Sequence, residues 1–178
     1  MKRNKLIGLL ENYFPLSNEE KICKGIMLDF IRSNENCFER WLEVGHITAS
    51  AWLLNKGESH ALLMHHAKLD LWVQLGGHCD GDPDPLAVAL KEASEESGIS
   101  AIVPIQQTLF DIDIHLIPEN KQQKAHYHYD VRFLLKVESD EKIEKNSESK
   151  ALRWIGKDPK ELPTDALSIT RMFYKWAL

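Results

Sequence analysis

The stretch that decides the fold of this chain reads GGHCDGDPDP at residues 76–85, followed by LAVALKEASEESGI at residues 86–99. Asp84 is a favourable N-cap residue, Pro85 suits the first helical position, and Gly98 suits the left-handed position after a helix. The stretch therefore predicts a glycine-rich turn at Gly76-Gly77 that leads into a helix over residues 85–97.

Three glutamates lie together on that helix. At 3.6 residues per turn, Glu95 and Glu96 each lie within about one sixth of a turn of Glu92. Like charges at this spacing cost roughly 0.2–0.5 kcal/mol, and a bound hard cation such as Mg²⁺ would turn that cost into a gain. The alternative is a solvated helix face, on which Lys91 offsets part of the repulsion through its i,i+4 pair with Glu95.

The whole segment resembles the Nudix box, whose pattern is G-x5-E-x7-R-E-U-x-E-E-x-G-U with U a bulky aliphatic residue. With the first glycine of the pattern set at Gly77, five further residues match it without a gap: Glu92, Glu95, Glu96, Gly98 and Ile99. Ala93 occupies the first U position and is smaller than is typical there. The resemblance implies a Nudix-type α/β/α sandwich and a metal-dependent hydrolase.

Two positions depart from the pattern. Pro83 stands where the pattern has its first glutamate, and Lys91 stands where it has arginine. In the family, this glutamate and arginine orient each other and the helix. Asp82 and Asp84 flank the position of the missing glutamate, and either could reach Lys91. Lysine cannot reproduce the bidentate geometry of arginine, so a weakly active site is the alternative to a fully active one.

The resemblance also implies the residues of the site. One to three Mg²⁺ or Mn²⁺ ions would be held by the Gly76 carbonyl and by Glu92, Glu95 and Glu96. In the family, a glutamate shortly before a terminal Arg-Trp strand often supplies a further ligand or base, and Glu148 precedes Arg153-Trp154 here. Glu95, Glu96 and Glu148 are therefore the predicted catalytic residues. The alternative for Glu148 is a solvated residue in a loop that also contains Glu138, Glu141 and Glu144.

The function implied by the resemblance is hydrolysis of the diphosphate linkage in a nucleoside-diphosphate-linked small molecule. Nucleotide sugars, dinucleotides and nucleoside triphosphates are the substrate types considered. The alternative is a catalytically weak module that binds a nucleotide-like metabolite and has a regulatory role. The intact glutamates favour the enzyme, whereas Pro83 and Lys91 favour the regulator.

Histidines supply the remaining candidates. Strand alternation places His126, His128 and Asp130 on one face, with Tyr127 and Tyr129 on the other. These residues could line the substrate pocket, hold a transition metal, or form a structural strand face. His78 follows the glycines and is expected near the phosphates, so the predicted substrate-binding residues are His78, His126, His128 and Asp130. Cys79 is not expected to be a nucleophile, because no partner pattern for an activated cysteine is evident.

Outside the box, hydrophobic periodicity predicts an α+β fold with a mixed sheet. Residues 1–42 form a predicted helical extension in two pieces, packed on a domain at residues 43–178. The predicted apolar faces of the two pieces are Leu6, Leu9, Leu10 and Tyr13, and then Ile22, Ile26, Phe30 and Ile31. The predicted strands are 47–54, 61–66, 71–75, 101–104, 108–116, 129–138 and 152–155, and a helix over 165–178 closes the chain.

Composition limits the possible partners. A net charge of -5 argues against a broad surface for DNA or RNA, although an acidic site with a bound cation can take a small phosphorylated ligand. Three cysteines without a CxxC pair predict a reducing, cytoplasmic setting. No apolar run is long enough for a signal peptide or a membrane span. The apolar extension could bury the interface of a homodimer.

Overall fold

The computed structural model describes residues 2–119 and 123–177. Within these ranges the chain forms four α-helices, eight strands and one short 3₁₀ helix. The helices are α1 (Asn4–Asn12), α2 (Asn18–Ser33), α3 (Pro85–Ser97) and α4 (Leu167–Ala177), and the 3₁₀ helix is Pro159–Glu161. The strands are β1 (Gly45–Leu54), β2 (Ala61–His66), β3 (Trp72–Val73), β4 (Leu75–His78), β5 (Ile102–Pro104), β6 (Asp111–Ile117), β7 (His126–Val137) and β8 (Ser149–Ile155).

The strands form one mixed sheet around a parallel pair. β1 and β7 run parallel over the whole length of β1, from Gly45 opposite Tyr127 to Leu54 opposite Lys136. β3, β2, β1, β7 and β5 follow one another across the sheet, while β4 pairs with β1, β6 with β7 and β8 with β2. Every one of these other pairings is antiparallel.

Helices cover both faces of the sheet. One core cluster joins Ala49 and Val131 of the sheet to Ala89 of α3, and it also contains the buried side chains of α1 and α2. A second cluster on the other face joins Trp52 to Phe173 of α4. Successive residues of a strand point to opposite faces, which is why neighbours such as Ala51 and Trp52 enter different clusters. The predicted α+β sandwich with a mixed sheet is confirmed.

The N-terminal helices form as predicted. On α2, Phe30 and Ile31 are buried as predicted, but burial of Ile22 and Ile26 was predicted wrongly. Ser17 caps α2 by accepting a 3.2 Å hydrogen bond from the backbone N–H of Glu20. Ile22 and Ile26 are 59% and 49% exposed, whereas Met27 is fully buried. At 100° per residue, Ile22 and Ile26 lie about 160° and 120° from the buried Glu20, on the far side of the helix. The buried side of α2 therefore combines the Glu20–Lys175 ion pair with Phe30 and Ile31.

The predicted turn at Gly76-Gly77 is also wrong. Both glycines lie inside β4, where Gly76 is opposite Ser50 and Gly77 is opposite Ala49. At Gly76 φ is +154°, and a Cβ there would lie 2.7 Å from the carbonyl oxygen of Ala49. Gly76 is therefore needed for close contact with β1. The apolar run 71–75 divides into β3 and β4.

The remaining elements lie near their predicted positions. β7 begins at His126, three residues before the predicted start, and β6 begins at Asp111 instead of residue 108. The extension packs on the domain, since the Phe30 ring stacks on Tyr129 at 3.8 Å between centroids. The division into residues 1–42 and 43–178 stays a prediction. Within the described residues, no helix combines the length and apolar character of a membrane span.

Candidate functional site

Local contacts define both ends of α3. The Asp84 side chain accepts from the backbone N–H of Ala87, Pro85 occupies the first turn, and Gly98 adopts φ +76° after the last turn. These features confirm the predicted bounds of the helix. The glutamate stripe of this helix faces β4. Its buried member is Glu96, which is 3% exposed.

Glu96 makes a direct contact with the glycine strand. Its Oε2 accepts a 2.8 Å hydrogen bond from the backbone N–H of Gly76. Burial raises the pKa of the Glu96 carboxyl to about 8, and the nearby charges of Glu92, Glu148 and Glu95 add to that shift, which the Gly76 hydrogen bond opposes. Within the described ranges, no basic side chain forms an ion pair with Glu96, so its charged form lacks a counterion.

Glu92 lies against the second glycine. A Cβ at Gly77 would lie 2.7 Å from the Glu92 carboxylate carbon, so only glycine leaves room for this side chain. Burial raises the pKa of Glu92 as well, and Glu95 and Glu148 contribute in the same direction, while Lys91 lowers it. β4 and α3 therefore enclose two carboxylates whose ionised forms are disfavoured without a cation.

Lys91 does not contact either flanking aspartate. Its Nζ lies 3.5 Å from Oε1 of Glu92 and 3.6 Å from Oε2 of Glu95. Asp84 pairs with Lys5 of α1 at 2.5 Å, and Asp82 accepts from the backbone N–H of Asp84 at 2.9 Å. The expected contact to Asp82 or Asp84 is wrong, because both aspartates are engaged at the start of the helix and Lys91 lies two turns further along.

Glu148 lies near the other glutamates. The Asn146 side chain donates to the backbone carbonyl of Glu95 at 3.4 Å and accepts from the backbone N–H of Glu148 at 2.9 Å, which holds the loop against α3. The charge of Glu148 raises the pKa of both Glu92 and Glu96. The structure therefore brings the four glutamates together, and a catalytic role for Glu148 stays a prediction.

The donor set fits a hard divalent cation. Mg²⁺ and Mn²⁺ prefer oxygen ligands, and carboxylates supply them at this site. The uncompensated burial of Glu96 and the raised pKa of Glu92 are the features that such an ion would relieve. A ligand role for the Gly76 carbonyl is consistent with its place beside Glu96 and stays a prediction.

A second group of polar side chains lies on one side of the sheet. We call it the polar face, and its members share one side of β1, β4, β6 and β7. They are His46, Thr48, Ser50, His78, Asp111, Asp113, His115, His126, His128, Asp130 and Arg132. The predicted substrate-binding residues all belong to it. His46, Thr48 and Ser50 were missed, although their alternation along β1 was a usable signal.

Asp130 is engaged within the protein. Its Oδ1 accepts from the hydroxyls of Thr48 and Ser50 at 2.9 and 2.8 Å, and its Oδ2 accepts from Gln74 and Arg132 at 3.2 and 2.7 Å. Because four donors surround this buried carboxylate, its role in the structure is to position its neighbours. A substrate contact by Asp130 stays a prediction.

Arg132 begins a buried charge network that sequence reasoning missed. Its guanidinium donates to Asp111 at 2.9 Å and to Asp113 at 3.2 Å. Arg171 of α4 also donates to both aspartates, and Lys175 lies 2.6 Å from Asp111. Lys175 lies 2.9 Å from Glu20 of α2, so the network joins the sheet, α4 and the extension.

The histidines cluster at one end of the polar face. The ring of His46 has its centroid 5.0 Å from that of His78, 5.1 Å from His126 and 4.8 Å from His128. Burial lowers the pKa of His46 to about 4 and also lowers the pKa of His78 and His128. His126 borders a cavity of about 280 Å³ between the extension and the start of β7.

Cys79 is unsuited to nucleophilic chemistry. Its side chain is 4% exposed, and burial raises the pKa of the thiol well above its ordinary value, with Asp130 adding to the shift. A thiolate is the reactive form of cysteine, so the residue is inert at neutral pH. This geometry agrees with the expectation that Cys79 is not the nucleophile.

Comparison with known proteins gives consistent results. The family model of the NUDIX domain matches residues 45–177. A probable DHNTP pyrophosphohydrolase of Lactococcus lactis subsp. cremoris is 30% identical over 138 residues, which are 76% of this chain and 80% of that protein. A C. elegans Ap4A hydrolase binary complex matches with a TM-score of 0.58 at 17% identity, over 74% of this chain and 94% of the other. A NUDIX family hydrolase from Clostridium perfringens gives 0.53 at 24% identity, over 74% and 95%.

Proposed function

The chain belongs to the NUDIX domain family and is an enzyme of the pyrophosphohydrolase type, and from this premise we propose its reaction. The reaction is Mg²⁺- or Mn²⁺-dependent hydrolysis of the diphosphate linkage in a nucleoside-diphosphate-linked small molecule. The observation that carries the proposal is the environment of Glu96. A buried carboxylate with a pKa near 8 and no basic partner among the described residues is an arrangement that a bound cation stabilises.

The ligands in this proposal are the Gly76 carbonyl and the carboxylates of Glu92, Glu95 and Glu96. When bound, a divalent ion supplies neutralisation of the diphosphate charge and a lower pKa for water at the site. β4 contributes a backbone that Gly77 allows to lie close to Glu92 of α3. The chain thus presents its oxygen donors from a helix and a strand that are already held by the Gly76–Glu96 hydrogen bond.

The proton of the attacking water would pass to a carboxylate of this chain. Glu95 is 57% exposed and Glu148 is also exposed, so both can reach a water that approaches from solvent. Glu96 is buried against Gly76 and is less accessible as a base. A base within hydrogen-bond reach of the water is the geometric requirement, and Glu95 and Glu148 both lie at the edge of the carboxylate group.

The polar face is the proposed site for the rest of the substrate. His78, His126 and His128 share that face, and His78 lies on β4 directly after the two glycines. Neutral imidazoles can donate to or accept from the edge of a heterocyclic base. The relative from Lactococcus lactis is named for DHNTP, so this compound belongs among the candidate substrates together with nucleotide sugars, dinucleotides and nucleoside triphosphates.

One observation favours the second candidate, which is a weakly active module that binds a nucleotide-like metabolite and has a regulatory role. The Lys91 ammonium lies 3.5–3.6 Å from Glu92 and Glu95, where it competes with a cation for their charge. A 64% exposed lysine is readily displaced, since exposed ion pairs contribute little. The proposal therefore keeps the enzyme as the primary function.

We also propose a cellular location and an oligomeric state. Cys23, Cys37 and Cys79 are free thiols, which supports a reducing, cytoplasmic location. Phe14, Ile22 and Ile26 leave apolar surface exposed on the extension, which supports a homodimer. Light scattering over a range of protein concentrations checks the second statement, and a constant monomer mass would contradict it.

The function is tested by a substrate panel. Purified protein is mixed with DHNTP, nucleoside triphosphates, dinucleotides and nucleotide sugars, each with Mg²⁺, with Mn²⁺ and with excess EDTA. We expect turnover of at least one compound with metal, loss of that turnover in EDTA and recovery when metal is returned, because bare carboxylates repel a diphosphate. Undiminished turnover in EDTA by protein shown to be metal-free contradicts the metal-dependent mechanism, and tight binding without turnover favours the regulator.

A further inference from the structure

Three histidines from three strands meet at one end of the polar face. His46 on β1 is the register partner of His128 on the parallel strand β7. His78 on β4 is opposite Thr48, which lies on the same side of β1 as His46. One ring nitrogen from each of the three side chains lies within 4.8 Å of the other two. The sheet register therefore creates this group from residues that are up to 82 positions apart in the chain.

The group is short of hydrogen-bond partners. His46 is 1% exposed, and neither of its ring nitrogens has a hydrogen-bond partner among the residues that the structure describes. The buried Nε2 of His128 also has none. Buried polar atoms in folded proteins are nearly always paired, so unpaired nitrogens in such a close group of histidines call for an explanation. Asp130, the nearest buried carboxylate on the same strand, cannot supply it, because four other donors occupy its oxygens.

We propose that His46, His78 and His128 bind a divalent transition metal, Zn²⁺ in the first instance, at a site separate from the glutamates of α3. Neutral imidazole nitrogens are good ligands for zinc, whereas the carboxylates of α3 suit Mg²⁺ and Mn²⁺. With Zn–N distances of about 2.0–2.1 Å, tetrahedral ligand nitrogens lie roughly 3.3–3.4 Å apart. The three nitrogens lie within 4.8 Å of one another, so a bound ion would require them to move closer by side-chain rotation.

The ligand set differs from the one that strand alternation suggested. His126 lies beside His46, but its Nδ1 lies 2.9 Å from the carbonyl oxygen of Lys124, which holds its ring toward the loop. His115 lies beside His128 with ring centroids 5.3 Å apart, and its side chain is 42% exposed. The three proposed ligands leave one tetrahedral position open to water or to a group of the substrate. With His78 and His128 on the ion, the substrate contact proposed for this end of the polar face would be made through that position and through His126. A bound ion would also tie together the ends of β1, β4 and β7.

The test measures zinc binding directly. Protein stripped with EDTA and returned to metal-free buffer is titrated with Zn²⁺ in competition with a metal indicator, and Co²⁺ is used in parallel because tetrahedral cobalt absorbs visible light strongly. We expect one tight equivalent with a tetrahedral cobalt spectrum. His46→Ala and His128→Ala should each weaken binding by more than the roughly 10–100-fold that loss of a hydrogen-bond partner of a ligand costs. The matched control His115→Ala and the variant Glu96→Gln should both keep the site.

Each outcome decides the proposal. Absence of tight zinc binding overturns it, and so does binding that Glu96→Gln removes while His46→Ala retains it, since the ion would then lie at the carboxylates. If circular dichroism shows that His46→Ala is unfolded, the partly exposed His78→Gln replaces it as the test variant. Zinc binding does not depend on hydrolysis, so a chain that holds zinc but turns over no substrate would contradict the proposed function and leave this site intact.

Discussion

The backbone N–H of Gly76 donates a 2.8 Å hydrogen bond to Oε2 of Glu96, which connects the glycine strand to the acidic helix. The contact places the strand backbone beside the glutamate stripe of α3, although the glycine and the glutamate are 20 positions apart in the chain. The same contact buries Glu96, and the burial raises its pKa to about 8. The functional hypothesis can therefore be tested at this residue.

Glu96→Gln should leave the fold intact and remove the activity. Glutamine keeps an oxygen that can accept from Gly76, and it resembles the protonated glutamate that burial favours at neutral pH. Stability without metal should hold or rise, while kcat/KM falls by at least about 10²-fold, which is about 2.7 kcal/mol of transition-state stabilisation. Thermal unfolding and steady-state kinetics provide the two measurements.

The matched control for that variant is Glu144→Gln, which changes an exposed glutamate paired with Lys142 in the loop before β8. It should alter neither rate nor stability measurably, because exposed ion pairs contribute little. A Glu96→Gln protein that hydrolyses its best substrate as fast as the parent would show that the catalytic assignment is wrong.

Glu148→Gln separates a catalytic role from a solvated loop position. If Glu148 accepts the proton of the attacking water, its loss should lower kcat by about 10²–10⁴-fold with a smaller effect on KM. The acidic limb of the pH–rate profile should also change, because the group that must be deprotonated has been removed. Glu144→Gln serves again as the control, and equal rates in the two variants would assign Glu148 to the solvated loop.

Pro83→Glu combined with Lys91→Arg should keep turnover equal or raise it. Lys91 now lies against Glu92 and Glu95, and a glutamate at position 83 would offer an arginine a bidentate partner away from them. Each single change should do less than the pair, because a lone charge gains no partner. A large loss of turnover in a double mutant with normal circular dichroism would show that the departures are adaptations of this enzyme.

Acid should destabilise the protein through Asp111. Burial alone would raise the pKa of this carboxyl, but Arg171, Arg132 and Lys175 outweigh burial and hold it below its usual value. A carboxyl with a lowered folded pKa stabilises the fold above its unfolded pKa of about 3.9, and that stability is lost as pH falls through the folded value. Urea unfolding from about pH 3 to pH 7 should therefore show falling stability below about pH 4.

Asp111→Asn tests the source of that stability. It leaves Arg132 and Lys175 buried with less counter-charge, so it should cost about 3–5 kcal/mol at pH 7 and flatten the acid limb of the stability curve. Asp70→Asn is the control, since Asp70 is an exposed partner of Lys150 and its loss should change little. An Asp111→Asn protein as stable as the parent at pH 7 would contradict this account of the network.

The local features of the sequence were sufficient to predict much of the fold. The cap at Asp84, the proline after it and the left-handed Gly98 predicted both ends of α3, and the cap at Ser17 predicted the start of α2. These predictions succeeded because caps and turns depend on neighbouring residues and backbone geometry alone. Strand existence was also predictable from alternation, although the starts of β6, β7 and β8 each differ by three residues from their predicted positions.

The sequence by itself determined the glutamate stripe of α3, its match to the Nudix pattern and the order of the elements, because these depend on spacing within one segment. Tertiary structure alone decided which side of α2 is buried, that Gly76 and Gly77 lie in a strand, and that His46 joins His78 and His128. The physical reason is that sheet register and buried charge pairs join residues far apart in the chain. Local propensity carries no information about which distant partner compensates a buried group.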